Sequence, residues 1–212
     1  MPEPDAAWFA ELLERELRPW LSLTNAQVEQ LYAHYELLER WNKRMNLTTV
    51  RSGREMVIRH YCESLFFAAQ TPKHWEIHQA ADIGSGAGFP GVPMAILKPN
   101  WQVVLVESNR RKATFLKEAT RHLENTEVLA ERAEAVSASY DLLVSRAVDP
   151  NEVASLVPQL APRIGLMLGE EDFALLKPLP HVAWAEPIRL PWGDRRICVY
   201  GEFHVKPVPR GT

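Results

Sequence analysis

The stretch that most constrains this chain is Asp82-Ile83-Gly84-Ser85-Gly86-Ala87-Gly88-Phe89-Pro90-Gly91. Apolar residues precede it (Ile77, Ala80, Ala81, Ile83) and follow it (Val92, Met94, Ala95, Ile96, Leu97). That order predicts a strand, a tight loop and a helix, with glycines where the backbone turns sharply and a ligand can lie against it. A turn that merely joins strand to helix is the plainer reading. Four glycines in eight residues, with acids Asp82 and Glu107 at two strand ends, count against it.

The formal pattern is ambiguous. Gly86-x-Gly88-x-x-Gly91 matches the dinucleotide fingerprint, and Glu107 lies about 20 residues on, where a ribose-binding acid belongs. A pyrophosphate, however, wants free N–H groups at a helix N-terminus. Pro90 and Pro93 delete two of them, and Asp82 would repel phosphate. A cationic cofactor without phosphate suits these features better. S-adenosylmethionine has that chemistry: a sulfonium, an amino-acid end, and a ribose that can bond to a carboxylate.

The 212 residues, 46% hydrophobic and 24% charged, allow one ordinary domain with a full core plus an extension. A formal charge of −3 excludes coating nucleic acid through bulk charge, so any RNA contact is local. Cys62 and Cys198 have no ligand-like spacing and suggest neither a disulfide framework nor a metal site. They fit a reducing cytoplasm. No leader opens the chain and no uncharged apolar run reaches membrane-spanning length, so the expectation is a soluble cytoplasmic protein.

Residues 5–18 carry Trp8, Phe9, Leu12, Leu13 and Leu17 at helical spacing. A second helix begins at Thr24, with Gln27 completing a capping box. Its stripe of Val28, Leu31, Tyr32, Tyr35, Leu38 and Trp41 reads as core rather than a base-stacking platform. Trp41 to Thr48 reads as a polar connector. From Arg40 to His60, the cations Arg40, Lys43, Arg44, Arg51, Arg54 and Arg59 face one acid, Glu55. They form either a solvated helix end and loop or a phosphate-contacting patch. Ser52 with Glu55 caps a third helix that stops by Thr71-Pro72. His60, among its apolar positions, reads as structural rather than catalytic.

After the glycine loop, Gln102–Val106 is an apolar strand ending in Glu107, followed by a helix over 109–123 whose charged outer face reads as solvated. Strands over 126–130 and 141–144 lead into Ala133-Glu134 and Ser145-Arg146-Ala147 respectively. Alternating strands and helices predict a doubly wound sheet, with ligands outside the carboxyl ends of its strands. The loop glycines, Glu107, Ala133-Glu134 and Arg146 all fall there. The last third predicts a helix near 151–160, a strand near 164–168 and a short helix near 170–176. Strands near 181–190 and 195–203 follow, joined by a Pro191-Trp192-Gly193-Asp194 turn. A C-terminal hairpin suits a methyltransferase core better than a dehydrogenase, which needs a second domain for its substrate. Residues 1–72 read as an N-terminal helical cap and 73–212 as the core, in one compact unit.

Several motifs occur together: Trp41-Asn42 with Asn46-Leu47-Thr48, Arg59-His60-Tyr61-Cys62-Glu63-Ser64-Leu65, the full glycine loop with Phe89-Pro90-Gly91, and Ser145-Arg146-Ala147-Val148. In this order they resemble the glucose-inhibited division protein B family, bacterial methyltransferases that make 7-methylguanosine in small-subunit (16S) ribosomal RNA. The resemblance covers roughly residues 25 to 150. It implies an α/β, class I S-adenosylmethionine-dependent methyltransferase fold: a Rossmann-like seven-stranded sheet with a C-terminal antiparallel hairpin and an N-terminal helical extension. It also implies 16S ribosomal RNA or the small ribosomal subunit as partner. Gly84, Ser85, Gly86, Phe89 and Glu107 would contact the cofactor from the loop and the second strand, and Ala133 and Glu134 would hold its adenine region. Arg146 would lie between cofactor and target base; the plainer role for it is a salt bridge to Asp82 or Glu134. Lys43, Arg44, Arg51, Arg54, Arg59 and His60 are the RNA-contact candidates.

The family's Lys-Gly pair after the fifth strand reads Leu168-Gly169 here. That departure keeps open a non-catalytic ribosome-binding or assembly protein that retains the fold. A nicotinamide-dependent oxidoreductase is the third reading. Methyl transfer to guanine N7 uses a lone pair already present, so positioning rather than a general base is the expected task.

Overall fold

The computed structural model describes residues 5–176, 182–193 and 195–203. Helix α1 (Ala6–Leu17) starts where Asp5 accepts the Trp8 N–H at 2.8 Å, and it buries Phe9, Leu12, Leu13 and Leu17 along one face. Helix α2 (Asn25–Met45) opens with the expected reciprocal cap: the Thr24 hydroxyl accepts from Gln27 N at 3.2 Å, and Gln27 Oε1 accepts from Thr24 N at 2.9 Å. It runs through the expected connector. Trp41–Met45 are helical, and Asn46 ends the helix in the left-handed region at φ 49°. The polar residues there are part of the packing: Asn42 is buried, and its Oδ1 accepts from Thr48 N at 2.9 Å, folding the chain back over the helix end.

The segment capped by Ser52 is helical to Gln70 but comes in three pieces. These are α3 (Gly53–Met56), a π-helical turn (Val57–Cys62) and α4 (Glu63–Gln70).

Five parallel strands follow the predicted runs: β1 (Gln79–Ile83), β2 (Gln102–Val106), β3 (Thr126–Leu129), β4 (Leu142–Arg146) and β5 (Arg163–Gly169). Between them lie α5 (Gly91–Leu97), α6 (Arg110–Thr120) and α7 (Pro150–Leu160), with α8 (Glu170–Ala174) after β5. The strand expected over 181–190 is in two parts, β6 (Val182–Trp184) and β7 (Ile188–Arg189), both antiparallel to the last strand, β8 (Arg196–Phe203). Pro187 lies in the break and has no N–H to give the ladder. The sheet therefore has eight segments rather than seven strands, in the order β3-β2-β1-β4-β5-β8-β6 with β7 also on β8. β8 inserts antiparallel between β5 and β6. His181, and Asp194 of the predicted turn, lie outside the described residues.

Strand residues alternate between two cores, as the pleat requires. Ala80, Val103, Leu105, Leu142 and Val144 join residues of α1, α2, α4, α5 and α6. Ala81, Ile83, Val104, Val106 and Leu143 join Val153, Ala154, Val157 and Leu160 of α7. Among the described residues no helix is long and apolar enough to cross a membrane.

Candidate active site

The glycine loop is held shut by its own strand ends. Gly84 N and Ser85 N both donate to Val106 O, at 2.9 and 3.1 Å. The Ser85 hydroxyl donates to Asp82 O at 2.8 Å, and Gly91 N donates to Asp82 Oδ2 at 2.9 Å. Asp82 is fully buried, and that burial pushes its carboxyl up to about 7. It is a strut beneath the loop, not a group that confronts a ligand. At Gly84, φ is +72° and a Cβ would lie 2.4 Å from Val148 Cγ2, so the first and fourth strand ends meet only because a side chain is missing.

The start of α5 offers nothing to a pyrophosphate. Pro90 and Pro93 have no N–H, Gly91 N is spent on Asp82, and Val92 N donates to Gly88 O at 2.8 Å.

Beside the loop a cleft of about 170 Å³ opens at the carboxyl ends of the strands, walled by Gly84, Val106, Ala133, Glu134 and Val148. Glu131, Arg132 and Glu152 complete its charged rim. Ala133 and Glu134 sit in a short 3₁₀ turn after β3. Glu107, at the end of β2, accepts from Gly86 N at 2.9 Å through one carboxylate oxygen and from Asn109 N at 2.7 Å through the other. Each oxygen keeps a further accepting position.

Phe89 lies outside this cleft. His60 stacks on its ring (4.7 Å, 21°), while Tyr61 (5.1 Å, 84°) and His34 (5.3 Å, 87°) meet it edge-on. Its ring anchors the loop to the N-terminal helices. His60 also shares a 2.7 Å hydrogen bond with the Thr48 hydroxyl. Burial, then the neighbouring arginines, push its imidazole down to about 3.

Arg146 is paired with neither Asp82 nor Glu134. Its partner is Glu63, a carboxylate with no exposed surface, whose Oε2 lies 3.3 Å from Arg146 Nη2 and also binds Arg196 Nη2 from β8. Burial raises the Glu63 carboxyl's pKa, while the arginines pull against that rise. Burial brings the Arg146 guanidinium down to about 10.

The π turn supplies Arg146 with a second ligand. Glu63 N donates to Ile58 O, five residues back, and not to Arg59 O as an α-helix would have it. The freed Arg59 carbonyl accepts from Arg146 Nη1 at 2.6 Å. Glu63 and Arg196 are thus site residues that the sequence reading left unassigned. A lone acid inside the apolar run Tyr61–Phe67 was the available signal for Glu63.

The basic candidates do not form one patch. Arg54 pairs with Glu16 at 3.2 Å, Arg59 with Glu55 at 3.0 Å, and Arg51 donates to Asn46 Oδ1 at 3.0 Å. Lys43 and Arg44 instead join Arg40 and, from α6, Arg111 around Trp41 in a groove of about 640 Å³. None of these four cations forms an ion pair among the described residues. No group of three His, Cys, Asp or Glu among the described residues is placed to hold a metal ion.

A sheet of this order, closed by an antiparallel strand and carrying its cleft at the β1, β2 and β4 ends, defines the Rossmann-like class I methyltransferase fold. The structure of a SAM-dependent methyltransferase from Aquifex aeolicus superposes with a TM-score of 0.56 over 74% of this chain and 97% of that one, at 12% identity. The family described as rRNA small subunit methyltransferase G (GidB) matches residues 27–169, and the chain belongs to it. A ribosomal RNA small subunit methyltransferase G from Xanthomonas axonopodis pv. citri is 49% identical over 141 residues, 65% of this chain and 64% of that protein. The match thus spans just under two thirds of that relative's length. One from Xylella fastidiosa is 40% identical over 192 residues, 84% of this chain and 89% of that protein.

Proposed function

We propose that this chain transfers the methyl group of S-adenosylmethionine to N7 of a guanine in small-subunit (16S) ribosomal RNA, in the cytoplasm. Family membership supports the reaction. The observation that carries the cofactor is the charge of the cleft. Glu131, Glu134 and Glu152 outnumber Arg132 on its rim, and the α5 terminus has no N–H left to give. Such a site favours a cation over two phosphates. Gly84 and Gly86 lend close backbone, Glu107 accepts from the ribose, and Ala133-Glu134 border the adenine. When bound, the sulfonium supplies an activated methyl group.

The rest falls to this chain's own residues. The guanine N7 lone pair forms the C–N bond as the C–S bond breaks, so no proton has to be removed and alignment dominates. Positive charge passes to the purine. Arg146 can stand beside it because Glu63, which it shares with Arg196, offsets part of the guanidinium charge. One N–H of each Nη is committed, to Arg59 O and to Glu63, which leaves three of its five N–H groups for the base or a phosphate. The groove of Arg40, Lys43, Arg44 and Arg111 would take the RNA backbone. Arg51, Arg54 and Arg59 would trade weak surface partners for phosphate. His60, packed on Phe89, would support the loop rather than touch RNA.

The test uses small subunits from cells lacking this methylation, with labelled S-adenosylmethionine and mapping of the modified base. Arg146→Ala would leave Glu63 underpaired, so Arg146→Lys is the cleaner variant: it keeps the charge and loses the planar fork. It is expected to lower transfer on the order of 100-fold, with the fold retained and cofactor affinity unchanged. Cofactor binding by the wild type without transfer to subunits or naked 16S RNA would sink the enzyme reading. Tighter binding of NAD than of S-adenosylmethionine would sink the cofactor.

A further inference from the structure

A second cavity, of about 270 Å³, lies on the other side of the β4 end, and Val148 lines both it and the cofactor cleft. Arg146, Arg196, Gly169, Asp172 and Leu190 contribute to its wall. Arg196 spends one N–H on Glu63, and a guanidinium has five. Asp172 stands apart from its neighbours. Of the three acids that open α8, Glu170 pairs with Arg189 at 2.9 Å and Glu171 with Arg195 at 2.6 Å. Asp172 forms no ion pair among the described residues, although two arginines line the same cavity. Its Oδ2 accepts one long bond from Gly169 N, at 3.4 Å. A carboxylate has about four accepting positions, and among the described residues this exposed one meets no other donor.

A cavity with unspent guanidinium donors and a carboxylate acceptor complements one base. Guanine offers acceptors at O6 and N7 and donors at N1–H and the N2 amino group. N7 must stay bare to take the methyl group. Building on the guanine-N7 reading above, we infer that this cavity receives the target base, with Asp172 accepting from N1–H and N2–H and Arg196 donating to O6. N7 is then left toward the cofactor cleft. Adenine would put its N6 donor against Arg196 and its N1 lone pair against Asp172. The site rejects it by repulsion as well as by lost bonds. Arg196 is also placed by Glu63, so Asp172 is the residue whose change separates base reading from folding.

The experiment compares wild type and Asp172→Asn on small subunits carrying guanine or inosine at the target position. Inosine keeps O6 and N1–H and lacks only the N2 amino group. The wild type should methylate the inosine site on the order of 10- to 100-fold more slowly, the worth of a hydrogen bond to a charged group. Asp172→Asn should slow transfer to guanine by a similar factor and bring the guanine-to-inosine ratio close to one. Its cofactor affinity and melting temperature should match the wild type. A variant that keeps the wild-type rate, or is slowed but keeps the wild-type ratio, overturns the assignment of Asp172. A wild type that transfers to neither subunit overturns the methylation reading itself, and this inference with it.

Discussion

His34 sits on α2 directly beneath the glycine loop: a Cβ on Gly88 would come 3.1 Å from its Nε2, and its Nδ1 shares a 2.7 Å hydrogen bond with the Tyr61 hydroxyl. Burial pushes its imidazole down to about 4 from an ordinary 6.5. The unfolded histidine takes a proton near pH 6.5, and the folded one does not until about pH 4. Its contribution is therefore whole above 6.5 and is lost as pH falls through that window. At 1.36 kcal/mol per pKa unit the loss is about 3 kcal/mol. Asp82 works in the opposite sense: raised to about 7 from 3.8, it favours the folded state at low pH and ceases to as pH rises through 7. Replacing His34 isolates the histidine's share, because Asp82 is common to both proteins. His34→Gln should cost most stability above pH 6.5, and the gap from wild type should shrink by about 3 kcal/mol by pH 4 in urea titrations. A gap independent of pH would show that His34 is not the source.

The π turn, as an element, is what connects the N-terminal helices to the reaction. Its one surplus residue frees Arg59 O, and Arg146 takes that carbonyl. Deleting Ile58 would let the ladder close as an α-helix and would occupy Arg59 O within the backbone. Helical circular dichroism should persist, while methyl transfer falls at least tenfold and cofactor affinity changes little. A fully active deletion variant would mean that the turn is incidental. Nothing in Val57–Cys62 marks it as π-helical, since its residues suit an α-helix equally well. What sets it apart in the folded chain is its contact with an arginine that arrives from β4.

The same division runs through the rest of the chain. The glycine loop, β1 to β5 and the Thr24 cap were legible because their causes are local: glycine spacing, apolar runs, a hydroxyl three residues from a glutamine. The Glu63 pairing was not legible, because its arginines come from β4 and β8. The basic cluster dispersed for a similar reason: Glu16, which takes Arg54, is brought up by the packing of α1. Asn42 is helical although its run reads as a connector, because a polar residue that suggests a loop can also be buried as the bond that ends a helix.

At the scale of the whole molecule, α1 bears on whether the N-terminal helices are a separable cap. Phe9 packs edge-on against Tyr61 (5.4 Å, 83°), which in turn meets Phe89 of the loop (5.1 Å, 84°). At the other end of the chain, Trp192 Nε1 donates to Glu16 at 3.0 Å, and its ring meets Trp20 at 5.2 Å. One apolar cluster contains Phe9, Leu12, Leu13 and Leu17 together with Phe89 and Tyr200. Burying each of those four α1 side chains is worth about 1.5–3 kcal/mol, hence about 6–12 kcal/mol together. That is comparable with the ~5–15 kcal/mol by which a whole domain is stable. Removing residues 1–24 should therefore unfold the chain rather than trim it, and the intact protein should melt in a single calorimetric transition that shifts as one on adding S-adenosylmethionine. Two separable transitions, or a truncated chain that stays folded and binds the cofactor with unchanged affinity, would instead make the N-terminal helices an independent unit resting on a self-sufficient core.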